Sequence, residues 1–227
     1  MRKYILMLFA AAALLMTSCG TASRTRASLY PKMYEEKPAS ILVMPPINNS
    51  TNVEAKDLLY TSISKPLAEA GYYVIAPHIA MELFKAESAY DAEMFIDRDL
   101  SKFAQVFGAD AVIFTTIEEW RKVGVGIQTK ISYMIKSTHT NEVLFDRRCD
   151  FFLDLSDNRK TENWVDALTS IAVTLINTAF TDHIVAARMC NEYVFRDLPQ
   201  GKYRSEYQQD GDTPADPKDV KRTLKKY

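Results

Sequence analysis

Two runs in the middle of the chain restrict its folding more than any other feature. VGIQTKISYMIKST (125–138) and EVLFDRRCDFFLDL (142–155) alternate along their length and are joined across HTNE. A period of two places Ile127, Thr129, Ile131, Tyr133 and Ile135 on one side of a strand and Lys130 and Lys136 on the other. The pattern predicts two antiparallel strands with one wet face and a hairpin tip at His139, Thr140 and Asn141. A further layer has to cover the apolar face of such a hairpin.

The upstream segments supply a different kind of strand. SILVMP is a short continuous apolar run closed by proline, as expected of a strand buried on both faces in a parallel arrangement. Leu58, Leu59, Ile63, Leu67 and Ala70 then recur at helical spacing up to Gly71, with Pro66 predicting a kink or a second helix start. YYVIAP reads as the next strand, so a right-handed crossover onto a parallel sheet is expected. A short helix over HIAMELFKAES, a polar acidic stretch and a helix closed by Gly108 lead into the strand AVIFTTIEEW. Residues 162–187 carry the strongest amphipathic pattern, from Val165 to Ile184. The order predicts a single α/β domain over 39–198, with a mixed sheet, a parallel start and an antiparallel hairpin, flanked by helices. Residues 199–227, with Pro199, Gly201, Pro214 and Pro217, read as a polar, flexible tail.

The amino terminus speaks to location. Arg2 and Lys3 precede the apolar run YILMLFAAAALLM, which is short for a bilayer span and fits a signal peptide over 1–18. The run ends in LLMTSCG, which resembles a bacterial lipobox with Met16 where leucine is usual, so Cys19 is the expected acylation site. Gly20 follows it and no aspartate does, a pattern that by resemblance points to the periplasmic face of the outer membrane of a Gram-negative envelope. Residues 19–38 read as a lipid-anchored tether that could hold the domain tens of Å from the membrane, at about 3.3 Å per residue. Without residues 1–18 the chain loses two of 28 basic residues against 29 acidic ones, a balance with no nucleic-acid footprint.

Chemistry is harder to find. In ILVMPPINNST, residues Asn48, Asn49, Ser50 and Thr51 stand where α/β proteins place binding loops, yet the same residue types turn chains and cap helices. Both N-x-[ST] matches there are read as incidental in a bacterial periplasm. Cys149 and Cys190 would share an oxidising compartment, so they are a candidate disulfide or two buried thiols. His78, His139 and His183 are dispersed, and the carboxylates Asp91, Glu93, Asp97 and Asp99 lack calcium-loop spacing, so neither a metal nor a cofactor is expected. Gly124 and Gly126 make no phosphate loop. Ser62, Ser64 and Ser170 lack a nucleophile elbow, and the reading is non-enzymatic.

Three segments carry a resemblance. ILVMPPINNSTNVEA, PLAEAGYYVIAP and FGADAVIFTTIEEW together resemble a family of bacterial lipoproteins of unknown function, from about Ser40 to Leu198. That family is similar in fold to the periplasmic domain of the curli-secretion lipoprotein CsgG and to the amino-terminal domain of TolB. Its members are often encoded beside a CsgG-like lipoprotein and another small lipoprotein. The resemblance therefore implies an interaction component of an envelope assembly or secretion complex, with those lipoproteins as partners and a homodimer through a helix or sheet edge. The alternative is a binding module for a small envelope ligand such as a glycan or peptidoglycan fragment. Lys130, Lys136, Asp146, Arg147 and Arg148 give the hairpin the pattern of a soluble sheet, so no secretion pore is expected of this chain.

Overall fold

The computed structural model describes residues 24–86, 92–155 and 182–225. Its elements are α1 (Arg26–Leu29), α2 (Pro31–Glu36), β1 (Ser40–Val43), β2 (Ile47–Asn48), α3 (Ala55–Ser62), α4 (Ser64–Glu69), β3 (Tyr73–Ile75), α5 (Pro77–Ala86), α6 (Glu93–Ile96), α7 (Ser101–Phe107), β4 (Ala111–Val123), β5 (Gly126–Ser137), β6 (Val143–Asp154) and β7 (Asp219–Lys225). Residues 182–195 are helical.

One mixed sheet runs β3–β1–β4–β5–β6–β7, with β2 also paired to β4. β1 lies parallel to both β3 and β4, so each of its positions is covered. Ile41 and Val43 enter one apolar core with Leu59, Ile63, Trp120, Tyr133, Phe145 and Val194. Leu42 and Met44 enter a second with Phe84, Phe103, Val112 and Phe114. Helices therefore cover both faces at β1, which is why its apolar run is continuous rather than alternating. β4, β5 and β6 follow as an antiparallel meander. Here α1, α2 and the 182–195 helix pack on the inner face, while Lys130, Arg148 and Lys221 stand exposed on the outer one.

Local chemistry explains the breaks. The helical pattern around Pro66 divides at Ile63, and the proline occupies the first turn of α4, where a missing N–H costs no helical bond. Asp110 fixes the entry to the sheet by accepting from the N–H groups of Ala39 and Ser40, at 2.9 and 3.0 Å, and from the Ser40 hydroxyl at 3.0 Å. Burial alone would raise its pKa, but these bonds and His139 outweigh burial and hold the carboxyl below its ordinary range. Of the amphipathic segment expected over 162–187, residues 162–181 lie outside the described residues. Its helix continues past the expected end to residue 195.

Two expectations need correction. Residues 24–38 are not a free tether. Thr25 caps α1 in a reciprocal pair with Ser28, and Arg26, Tyr30 and Met33 are buried. Pro31 opens α2, and Lys37 closes it in the left-handed conformation at φ 54°. Of the tail expected over 199–227, the described residues 199–225 are not loose either. β7 adds a parallel strand to β6, with Cys149 opposite Val220 and Leu153 opposite Leu224. Val220 and Leu224 pack on the first core, and their burial offsets the ordering cost that the polar composition suggested would win.

Candidate functional site

The PPINNST loop is closed upon itself. Asn48 lies in β2 opposite Ile117, and Asn49 N–H donates to the Ile117 carbonyl at 2.9 Å. Asn48 Oδ1 accepts from the Ser50 N–H and hydroxyl at 3.1 and 2.7 Å, and its Nδ2 donates to the Asn52 carbonyl at 2.8 Å. Asn52 Oδ1 then takes the Ala55 N–H at 2.9 Å, where α3 begins. Asn48, Ser50 and Asn52 thus serve the turn and the helix start. Asn49 and Thr51 are exposed, so of the four loop residues these two present side chains to solvent.

Cys149 and Cys190 are buried free thiols, which corrects the candidate disulfide. The Cys190 Sγ instead lies 3.5 Å from the Thr129 hydroxyl. Burial pushes both thiols up to about 12, so neither supplies the thiolate that disulfide exchange needs. Cys19 and Asp91 lie outside the described residues. Asp99 accepts from the Ser101 N–H and hydroxyl at 2.9 and 2.7 Å, a helix-start role. Among the described residues no group of three His, Cys, Asp or Glu side chains is arranged to hold a metal ion.

A charged centre that the sequence did not reveal joins the sheet to the 182–195 helix. Arg147 is fully buried on β6, pairs with Asp197 at 2.7 Å and donates to the Val194 carbonyl at 2.9 Å. Asp216 donates its N–H to the other side of that pair, at Asp197 Oδ2, 3.1 Å away. The Asp216 carboxylate receives Arg196, Arg222 at 3.6 Å and the Tyr193 hydroxyl at 2.5 Å. Burial opposes ionisation of Asp216, but Tyr193 and the two arginines prevail and lower its pKa. Every carboxylate faces a guanidinium, so the centre ties segments together and leaves no base free for proton transfer.

Among the described residues, half of the outer sheet face stands open, with Glu118, Lys130, Arg148, Asp219 and Lys221 exposed on it. Strand register places Glu119, Lys130, Asp150 and Lys221 in one row across β4–β7, and Thr116, Ser132, Arg148 and Asp219 in the next. A bulge between Ile117 and Glu119 also turns Glu118 to this face, 3.5 Å from Lys130 and 3.2 Å from Ser132. Lys221 lies 3.3 Å from Asp150. A groove of about 430 Å³ runs between Thr116, Glu118, Ser132 and Arg148, toward Ile96 of α6. Beside it, β7 is the sheet edge among the described residues. Alternation announced a wet face, but the charge rows depend on register, which one chain's sequence does not fix.

Known proteins align with this architecture. The chain is 40% identical over 91 residues to "Putative lipoprotein NMB1124/NMB1162" of Neisseria meningitidis, an alignment covering 40% of this chain and 42% of that protein. The crystal structure of lipoprotein GNA1162 from Neisseria meningitidis matches with a TM-score of 0.47 and 28% identity, over 62% of this chain and 97% of that one. The LpoB C-terminal domain from Escherichia coli matches with a TM-score of 0.39 and 11% identity, over 54% of this chain and 94% of that one. The family model "Putative lipoprotein GNA1162-like" matches residues 29–197, most of the chain, and the chain belongs to the GNA1162-like lipoprotein family.

Proposed function

We propose that this lipoprotein is a non-enzymatic interaction component of an envelope assembly or secretion complex, acylated at Cys19 on the periplasmic face of the outer membrane, with a CsgG-like lipoprotein as partner. The observation that carries the reading is the half of the outer sheet face left open among the described residues, with its cross-strand rows Glu119–Lys130–Asp150–Lys221 and Thr116–Ser132–Arg148–Asp219 beside β7. Rows of fixed, paired charges favour a partner of matching pattern and penalise others, which is how polar surfaces contribute specificity. Photocrosslinkers at Ser132 and Lys221 in cells should capture a CsgG-like lipoprotein, while one at Tyr203, exposed elsewhere, should not. Recovery of this protein alone from all three positions overturns the reading.

A second reading, a binding module for a glycan or peptidoglycan fragment, draws support from the groove beside Ser132, which is lined by both charges and hydroxyls. Soluble muropeptides should then shift the amide resonances of Lys130, Ser132 and Arg148 and leave those of Asn49 and Thr51 in place.

A further inference from the structure

We infer that residues 24–36 and 196–215 form a clamp that makes the lipid anchor a short leash, so that the domain rides on the membrane surface with its Arg24–Thr213 edge toward the headgroups and its partner is a protein held at that same membrane. The inference rests on Cys19 being the acylated residue. Backbone bonds form one side of the clamp: Arg26 N–H donates to the Thr213 carbonyl, Ala27 N–H to Gly211 and Ala215 N–H to Arg24, at 3.0, 3.0 and 2.9 Å. A bridge between Thr25 and Pro214 runs antiparallel beside them. Side chains form the other side. Arg26 pairs with Asp210 at 2.7 Å and donates to the Arg196 carbonyl, and the Tyr34 hydroxyl donates to Asp210 at 3.1 Å. Both charges of the Arg26–Asp210 pair are nearly sealed from solvent.

Chain geometry then sets the reach. Five peptide steps separate Cys19 from Arg24 and span at most roughly 18 Å when fully extended. The headgroup layer takes up about 6 Å of that on one side of the bilayer. What is left is shorter than the domain, which is roughly 40 Å across for a chain of this size. An unclamped segment from Cys19 to Ala39 would reach about 70 Å. The clamp therefore decides between a domain that explores the envelope and one pressed on its own leaflet. It also fixes orientation. α2 touches the β5–β6 tip through Lys32–Glu142 at 3.1 Å, and Val125 lies at the other end of β5, roughly 37 Å along the strand.

The acylated full chain, purified from membranes, can be placed in vesicles carrying a headgroup-labelled acceptor lipid. A donor dye at Thr213→Cys should transfer energy several-fold more strongly than one at Val125→Cys. A flexible Gly/Ser insertion of thirty residues after Ser23 should lower both signals and erase their difference, and Asp210→Ala should move them the same way. Equal transfer from the two positions in the otherwise unaltered chain, or an insertion that changes neither, overturns the leash. Cys19→Ser should release the protein from the vesicles. Retention of that variant overturns the anchor reading instead, and the leash with it.

Discussion

Replacement of Asp210 tests the clamp most directly. Its carboxylate holds Arg26 at 2.7 Å, the Gln200 N–H at 2.9 Å and the Tyr34 hydroxyl at 3.1 Å, and only 5% of its side chain is exposed. Among the described residues, Asp210→Ala leaves the Arg26 guanidinium with the Arg196 carbonyl, while its Nε has no partner there. Removing one member of a buried ion pair costs about 3–5 kcal/mol, and an orphaned Gln200 N–H adds about 1 kcal/mol. Tyr34 is less enclosed and can turn toward water. The expected loss is therefore about 4 kcal/mol, a large part of the stability of a typical domain. Asp210→Asn keeps an acceptor for Gln200 but no charge for Arg26 and should lose about half as much. Arg26→Met combined with Asp210→Ala should recover part of the single loss, because no unpaired charge remains. Urea unfolding of the Cys19→Ser chain followed by far-ultraviolet dichroism gives the free energies, and hydrogen exchange at Ala27, Leu29 and Tyr30 reports local release. A loss for Asp210→Ala under about 1 kcal/mol, with unchanged exchange at those amides, would refute the clamp as a source of stability.

Other perturbations probe separate parts of the fold. Arg147→Met removes the guanidinium that pairs with the buried Asp197 at 2.7 Å, leaving it the more distant Arg196 at 3.8 Å, and should cost about 3–5 kcal/mol in the same unfolding assay, with Asp197→Leu added to it recovering part of the loss. Trp120 donates its indole N–H to His183 Nδ1 at 2.8 Å, which requires a neutral ring, and burial first, then the neighbouring Lys122, lowers the His183 pKa against the opposing pull of Glu54 and Asp182. The folded state then binds fewer protons than the unfolded one, so stability present above the unfolded value near 6.5 should fall as pH drops toward the folded pKa. The Trp120 indole resonance should move over that window in the native chain and stay fixed in His183→Gln. Gly71 sits at φ 91°, and a Cβ there would meet the Gly201 carbonyl at 2.9 Å, so Gly71→Ala should lose about 2 kcal/mol or more and lower the thermal midpoint.

How far the sequence discloses this fold depends on whether each element is determined locally. The alternation at 125–155 was legible because period two survives only where one face is wet, and β5 and β6 obey it from Ile127 to Ile135 and from Phe145 to Leu153, whereas past the bulge at Ile135/Lys136 the lysine expected on the wet face is buried. β1 was legible for the opposite reason, since helices on both of its faces demand an unbroken apolar run. α1, α2 and β7 left no comparable trace. Helices of four and six residues complete fewer than two turns, too short for a periodic stripe, and they persist through Asp210, a residue some 180 positions away. β7 turns only Val220, Arg222 and Leu224 inward, and parallel pairing with β6 stabilises it where propensity gives little help. In the loop, the residue types at Asn48 and Ser50 promised polar contacts, but a choice between ligand and backbone required the position of Ile117 across the sheet.

The segments that family similarity leaves out are those that complete the molecule. The matched region ends at residue 197, yet Asp216 caps the Arg147–Asp197 pair and gathers Arg196, Arg222 and Tyr193 around itself. The same connection then continues into β7 and gives β6 its outer neighbour. Upstream of it, Asp210 and the Gly211–Ala215 backbone hold Arg24 to Ala27, which precede the matched region. Residues 199–225 thus make one continuous strap with two attachments, one to the amino-terminal helices and one to the sheet edge. A strap fixed at both ends resists release at either, because freeing one attachment leaves the other to hold the chain nearby, and rebinding is then an intramolecular step. The amino-terminal helices are thereby tied to the same strap as the sheet edge. The charged rows on the outer face of the sheet therefore stand in a defined relation to Arg24.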